Sequence, residues 1–141
     1  MRIPVIAAAS VILAASAALA GETPSPPGAK VYFIGLEDGQ TVASPVTIRF
    51  GLSGMGVAPA GVDDKPKTGH HHLIINEAIE GEELNEPIPA DDQHIHFGGG
   101  QTETTIELPA GTHVLQLVLA DWSHIPHNPP VMSERITITV K

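Results

Sequence analysis

TETTIELPAGTHVLQLVLA, residues 102–120, carries the clearest β signal in the chain. Two runs rich in β-branched and apolar residues, Thr102–Leu108 and His113–Ala120, flank the tight turn Pro109-Ala110-Gly111, which is a hairpin pattern. Downstream, Glu134–Lys141 (ERITITVK) alternates Ile136, Ile138 and Val140 with polar residues and closes the chain as a strand. Upstream, Val42–Leu52 (VASPVTIRFGL) alternates Val46, Ile48, Phe50 and Leu52 with Thr47, Arg49 and Gly51. Pro45 suits the start of that strand, where its missing N–H costs little. Lys30–Leu36, His70–Ile75 and Gln93–Phe97 read as further short strands. About seven strands with turn residues between them and no convincing helix predict an all-β fold, an immunoglobulin-like antiparallel β-sandwich.

The 141 residues allow one domain and one modest core. Seven Lys+Arg against sixteen Asp+Glu give a formal charge of −9 with no basic cluster, which argues against nucleic acid and anionic membrane surfaces as partners. The absence of Cys excludes disulfides, Fe–S clusters, thiolate zinc sites, c-type haem and blue copper.

Met1–Ala20 stands apart. Arg2, an Ala/Val/Ile/Leu run from Val5 and the ending Ala18-Leu19-Ala20 describe a secretory signal peptide cut after Ala20. An uncleaved anchor is the alternative, but the Ala-rich run and the small-x-small site favour cleavage. Loss of Arg2 takes the charge to −10, and no membrane span remains after cleavage. The expected organisation is a signal peptide (1–20), a flexible Pro-rich leader (21–29) that is disordered or extended, and one β-sandwich domain (30–141). The expected location is the periplasm or the cell exterior. Ser53–Gly69 and Asp121–Met132 read as long loops, and Glu77–Asp92 as an acidic, solvated excursion with weak helical or turn character.

Eight histidines fall between His70 and His127. In an extended segment, His94 and His96 share one face while Ile95 and Phe97 take the other, and His70 and His72 stand in the same relation. His124 and His127 lie in a Pro-constrained loop, where rigidity lowers the entropy of holding ligands. Neutral imidazoles without thiolate suit Cu(II), Zn(II) or Ni(II). Where strands and loops converge at a sandwich end, His72, His94, His96 and His127 are the leading metal ligands, with His70 and His124 as alternates. Asp121 or Asp92 would support them from behind. Met55 and Met132 offer thioethers for Cu(I), Met132 being favoured because it shares the His124–His127 loop. His113, alone, is more simply a polar strand-end residue, and the His70–His72 run also reads as a solvated tract.

No nucleophile motif, H-E-x-x-H or phosphate loop is present, and the Glu residues of the excursion offer no distinct carboxylate pair. An enzyme, such as a metal-dependent hydrolase or a copper oxidoreductase, is therefore the less favoured role, since no general base or nucleophile stands out. An N-terminal histidine brace is disfavoured because cleavage after Ala20 exposes Gly21.

Ala60–Leu73, His96–Glu103, Leu108–Leu119 and His124–Ser133 carry the motifs of a family. Over Val31–Val140 the chain resembles the secreted bacterial domain of unknown function 4399. Asp63-Asp64 and Trp122 depart from the pattern without touching a histidine. The resemblance implies a secreted β-rich domain whose His-bearing segments are its signature, and it identifies no metal. The expected function is an exported histidine-rich metal-binding protein, copper first and zinc second, in metal delivery, buffering or resistance. The alternative is a non-catalytic envelope module that binds a glycan or protein partner through its Gly/Pro-rich loops.

Overall fold

A computed structural model describes residues 21–62 and 64–141. The signal peptide expected over 1–20 lies outside the described residues. Among the described residues, ten strands follow in chain order: β1 (Lys30–Ile34), β2 (Thr41–Val42), β3 (Val46–Ser53), β4 (Gly56–Val57), β5 (Thr68–Ile75), β6 (His94–His96), β7 (Glu103–Ile106), β8 (Gly111–Ala120), β9 (Pro126–Met132) and β10 (Ile136–Val140). One sheet has the order β1-β3-β7, and the other β2-β10-β8-β5, with β4 and β6 on the outer edge of β5 and β9 beside β8. That partition is the one found in immunoglobulin-type sandwiches, with β1, β3 and β7 in the places of A, B and E, and β10, β8, β5 and β6 in those of G, F, C and C′. The longer pairings among the described residues are antiparallel, and the two-residue ladders β2–β10 and β4–β5 are parallel. Among the described residues, no helix is long and apolar enough to cross a membrane.

The core lies between the sheets. Val46, Ile48 and Phe50 face Leu73, Ile75, Leu115, Leu117, Leu119 and Ile138. These are the alternate positions of their strands, as a half-buried sheet face requires.

Two strand assignments change. Thr102–Ala120 is not a hairpin: β7 pairs with β3, and β8 pairs with β5 and β10. The Pro109–Gly111 turn instead carries the chain from one sheet to the other, with Leu108 buried at the crossing. Asp121–Met132 is not all loop either, because β9 forms despite Pro126, Pro129 and Pro130. Prolines are tolerated there because β9 joins β8 through only a few residues across a bulge.

The outer face of the larger sheet is covered. Between β5 and β6 the acidic excursion folds back, with a short 3-10 turn at Gly81–Asn85. Its Ile79 and Ile88 pack on Ile74, Val118 and Ala120, forming a second small core, while its glutamates stay largely in solvent. The excursion is therefore anchored by two isoleucines rather than wholly solvated. The leader takes the extended alternative and is paired: Ser25 N–H donates to Asn128 O (3.0 Å) and Asn128 N–H to Thr23 O (2.9 Å).

Candidate metal centre

The centre is built on β5, whose residues from Gly69 to Ile75 are all buried. Alternation sends His71, Leu73 and Ile75 into the main core and His70, His72 and Ile74 to the covered outer face. Gly69 permits the close packing that precedes them, since a Cβ there would meet the His127 ring at 2.8 Å. Register then places imidazoles side by side. His72 lies opposite His96 on β6 and Val118 on β8, and His70 lies opposite Ala120.

The third histidine arrives on the turn after β8. Asp121, only 4% exposed, organises that turn: its Oδ1 accepts from Ser123 N (2.9 Å), Ser123 Oγ (2.7 Å) and Ile125 N (3.1 Å). His124 is held at φ 68°, in the left-handed region that costs a side-chain-bearing residue energy. Its carbonyl accepts from Ile88 N (2.9 Å), which ties turn to excursion. The ring then folds over the sheet, with His124 Nδ1 at 3.0 Å from His70 Nε2.

His70, His72 and His124 each present a ligand nitrogen within 4.8 Å of the others, so the three form a group able to hold one metal ion. Ring centroids stand 4.5 Å apart for His70–His72, 4.8 Å for His70–His124 and 5.7 Å for His72–His124. His96 adjoins them, 5.0 Å from His124 and 5.9 Å from His72, and is exposed. Among the described residues, neither ring nitrogen of His72 has a hydrogen-bond partner, and neither does His70 Nδ1. A buried polar atom left in that state costs about 1–3 kcal/mol, which ligation would offset.

Electrostatics keep these rings in the ligating form. Burial, then the neighbouring His124 and His96, lowers His70 to about 4. Burial, then His70 and His124, lowers His72 to about 2. Burial and His96 lower His124 as well. Burial pushes the Asp121 carboxyl up, but hydrogen bonds from Thr23, Ser123 and Ile125 outweigh it, so the group ends below its ordinary range.

The remaining candidates fall elsewhere. His94 shares the outer face with His96 but is opposite Ile74, and its Nδ1 is 2.8 Å from Asp91 Oδ1, turning the ring toward a cavity of about 160 Å³ beside Glu83 and Glu86. His127 is fully buried with both ring nitrogens against backbone carbonyls, Leu119 O at 3.3 Å and Thr68 O at 3.1 Å, and so has no free lone pair directed at the cluster. His113 donates from Nε2 to Pro109 O (2.7 Å), with Nδ1 at 3.1 Å from Asn76 Nδ2. Met132 is opposite Val118, two strands from His72, or about 10 Å at the usual strand spacing. Met55 packs against the main core. Asp92 is exposed with no part in the cluster, whereas Asp121 supports the His124 turn. Thr23, whose hydroxyl donates to Asp121 Oδ2 at 2.7 Å, had no sequence signal, because that contact spans almost the whole domain.

Residues 48–141, from within β3 to the end and including every histidine, match the family described as Domain of unknown function (DUF4399). No curated protein matches the chain, and no solved structure does. With more than half of its length matched, the chain belongs to the DUF4399 family.

Proposed function

We propose that His70, His72 and His124, with the exposed His96 as fourth ligand, bind a transition-metal ion in an exported protein that delivers, buffers or detoxifies that metal. The observation that carries this reading is the unpartnered state of both buried His72 nitrogens beside two further imidazoles. An all-nitrogen set favours Cu(II) by the usual affinity order, with Zn(II) second. With both thioethers away from the cluster, the soft ligands that would favour Cu(I) drop out of the proposal. The proposed location, the periplasm or the cell exterior, is supported by the sequence of residues 1–20, which reads as a signal peptide cut after Ala20.

The direct test is calorimetric titration of Cu(II) and Zn(II) into the intact protein and into a His72→Ala/His124→Ala variant. Tight one-to-one binding lost in the variant supports the site, and equal binding by both proteins refutes it.

A second reading, recognition of an envelope glycan or protein, has its own support. A cavity of about 530 Å³ opens between the leader, Asp64–Lys67 and the 121–125 turn, and Trp122, 46% exposed, lines it. Capture of a partner that survives chelator and is lost in Trp122→Ala would favour this reading over the first.

A further inference from the structure

The turn that presents His124 is fastened from a distant part of the chain. Asp121 Oδ1 is fully used within the turn, by Ser123 and Ile125. The other oxygen, Oδ2, accepts from the Thr23 hydroxyl at 2.7 Å, across 98 residues of sequence. The segment that brings Thr23 there is itself seated along β9. Ser25 N–H donates to Asn128 O and Asn128 N–H to Thr23 O, at 3.0 and 2.9 Å, and Ser25 Oγ–H donates to Pro129 O at 2.6 Å. At its start, Gly21 N–H reaches Asn85 Oδ1 on the excursion at 3.0 Å. A Cβ on Gly21 would run into Pro126 O, so the seat is shaped for glycine.

We infer that Gly21–Ser25 is a clasp for the histidine cluster and that Thr23 is a positioning residue for His124, acting through the Asp121 carboxylate. The inference rests on the metal-binding reading and deepens it by naming what controls the site. A buried carboxylate and a strained residue are coupled here. Without Thr23, Asp121 Oδ2, on a residue only 4% exposed, loses its hydrogen bond from the leader, and the carboxylate turns to recover one. Turning moves Oδ1, and with it the two backbone N–H groups that fix His124 in its left-handed conformation. The His124 ring then loses its place beside His70. Coupling of this kind is reciprocal, so metal bound at the histidines holds the clasp more tightly in turn.

The test uses the intact protein with Thr23→Val, which keeps the shape and removes the donor, and Thr23→Ser, which restores it. Zinc affinity by calorimetry should fall about tenfold in T23V, the lower end of what outer-shell partners contribute, and T23S should return to within about twofold of the parent. Imidazole nitrogen NMR of the metal-free proteins should show the His70–His124 hydrogen bond in the parent and T23S, and its loss in T23V. Hydrogen exchange at the Ser25 and Asn128 amides should slow when zinc is added. Unchanged zinc affinity in T23V, or an equal fall in T23S, would overturn the clasp. If the parent binds neither zinc nor copper, the metal reading fails separately. The metal-free spectra then judge the clasp, and His124 signals that T23V leaves unmoved would refute it.

Discussion

Two faces of one strand separate a buried histidine from a histidine site. On the inner face of β5, His71 packs against Phe50 at 5.1 Å in the apolar core, with neither ring nitrogen partnered among the described residues. On the outer face, His70 and His72 are as deeply buried and also carry unpartnered nitrogens. Burial and unsatisfied nitrogens are thus common to both faces. What differs is the company: aromatic hydrocarbon around His71, further imidazoles around His70 and His72. Convergence of donors, rather than burial, marks the outer face as the place for a cation.

The largest effect should appear where that difference is attacked directly. His72→Ala removes the innermost ligand and should weaken Cu(II) or Zn(II) binding on the order of a thousandfold, beyond the 10–100-fold typical of outer-shell losses. His71→Phe should leave the affinity within about twofold, because the side chain faces the other way. Calorimetry on the pair decides the matter. Equal losses in both variants would erase the distinction between the faces.

Acid should expose what the two faces share. Burial lowers His71 to about 4 from an ordinary 6.5. Between those values the unfolded chain holds a proton that the folded chain does not, so stability is complete above about pH 6.5 and drains away as pH falls toward 4. For His71 alone the loss amounts to about 3 kcal/mol. Denaturant midpoints measured across that window should fall steadily with acid. His71→Phe should flatten the fall, and at neutral pH it should raise stability by about 1–3 kcal/mol by removing two unsatisfied nitrogens without leaving a cavity. A midpoint that is insensitive to pH, or a destabilised H71F, would show that His71 is satisfied in solution.

Much of this arrangement was legible in the residues, and the parts that were not share a cause. Alternation in Val46–Phe50 and Ile136–Val140 identified core strands because one buried face imposes a period of two. The same period put His70 with His72 and His94 with His96. Pairing across strands has no such local signature. Pro109-Ala110-Gly111 looks alike whether it closes a hairpin or crosses between sheets, and β7 shows that it crosses. Nor does a period reveal which members of a face meet: His127 shares a rigid segment with His124, yet its ring is trapped against Thr68 O while His124 swings over the sheet. Thr23 reaches Asp121 from a Pro-rich leader whose sequence, read locally, predicts only a disordered or extended segment.

The smallest expected effect sharpens the comparison most, because it operates within the outer face itself. His94 and His96 are two residues apart on β6, point the same way and would count equally in any motif. Register separates them: His96 is opposite His72, and His94 is opposite Ile74. Chemistry separates them again, since His94 is held to Asp91 while His96 lies 5.0 Å from the His124 ring. As an exposed fourth ligand, His96 should be worth about tenfold in affinity, and His94→Ala should cost less than about twofold. Parallel zinc titrations of H94A and H96A measure the difference. Equal effects would mean that metal draws the two together by moving β6. A tenfold gap would mean that the site is set by the strand register already in place.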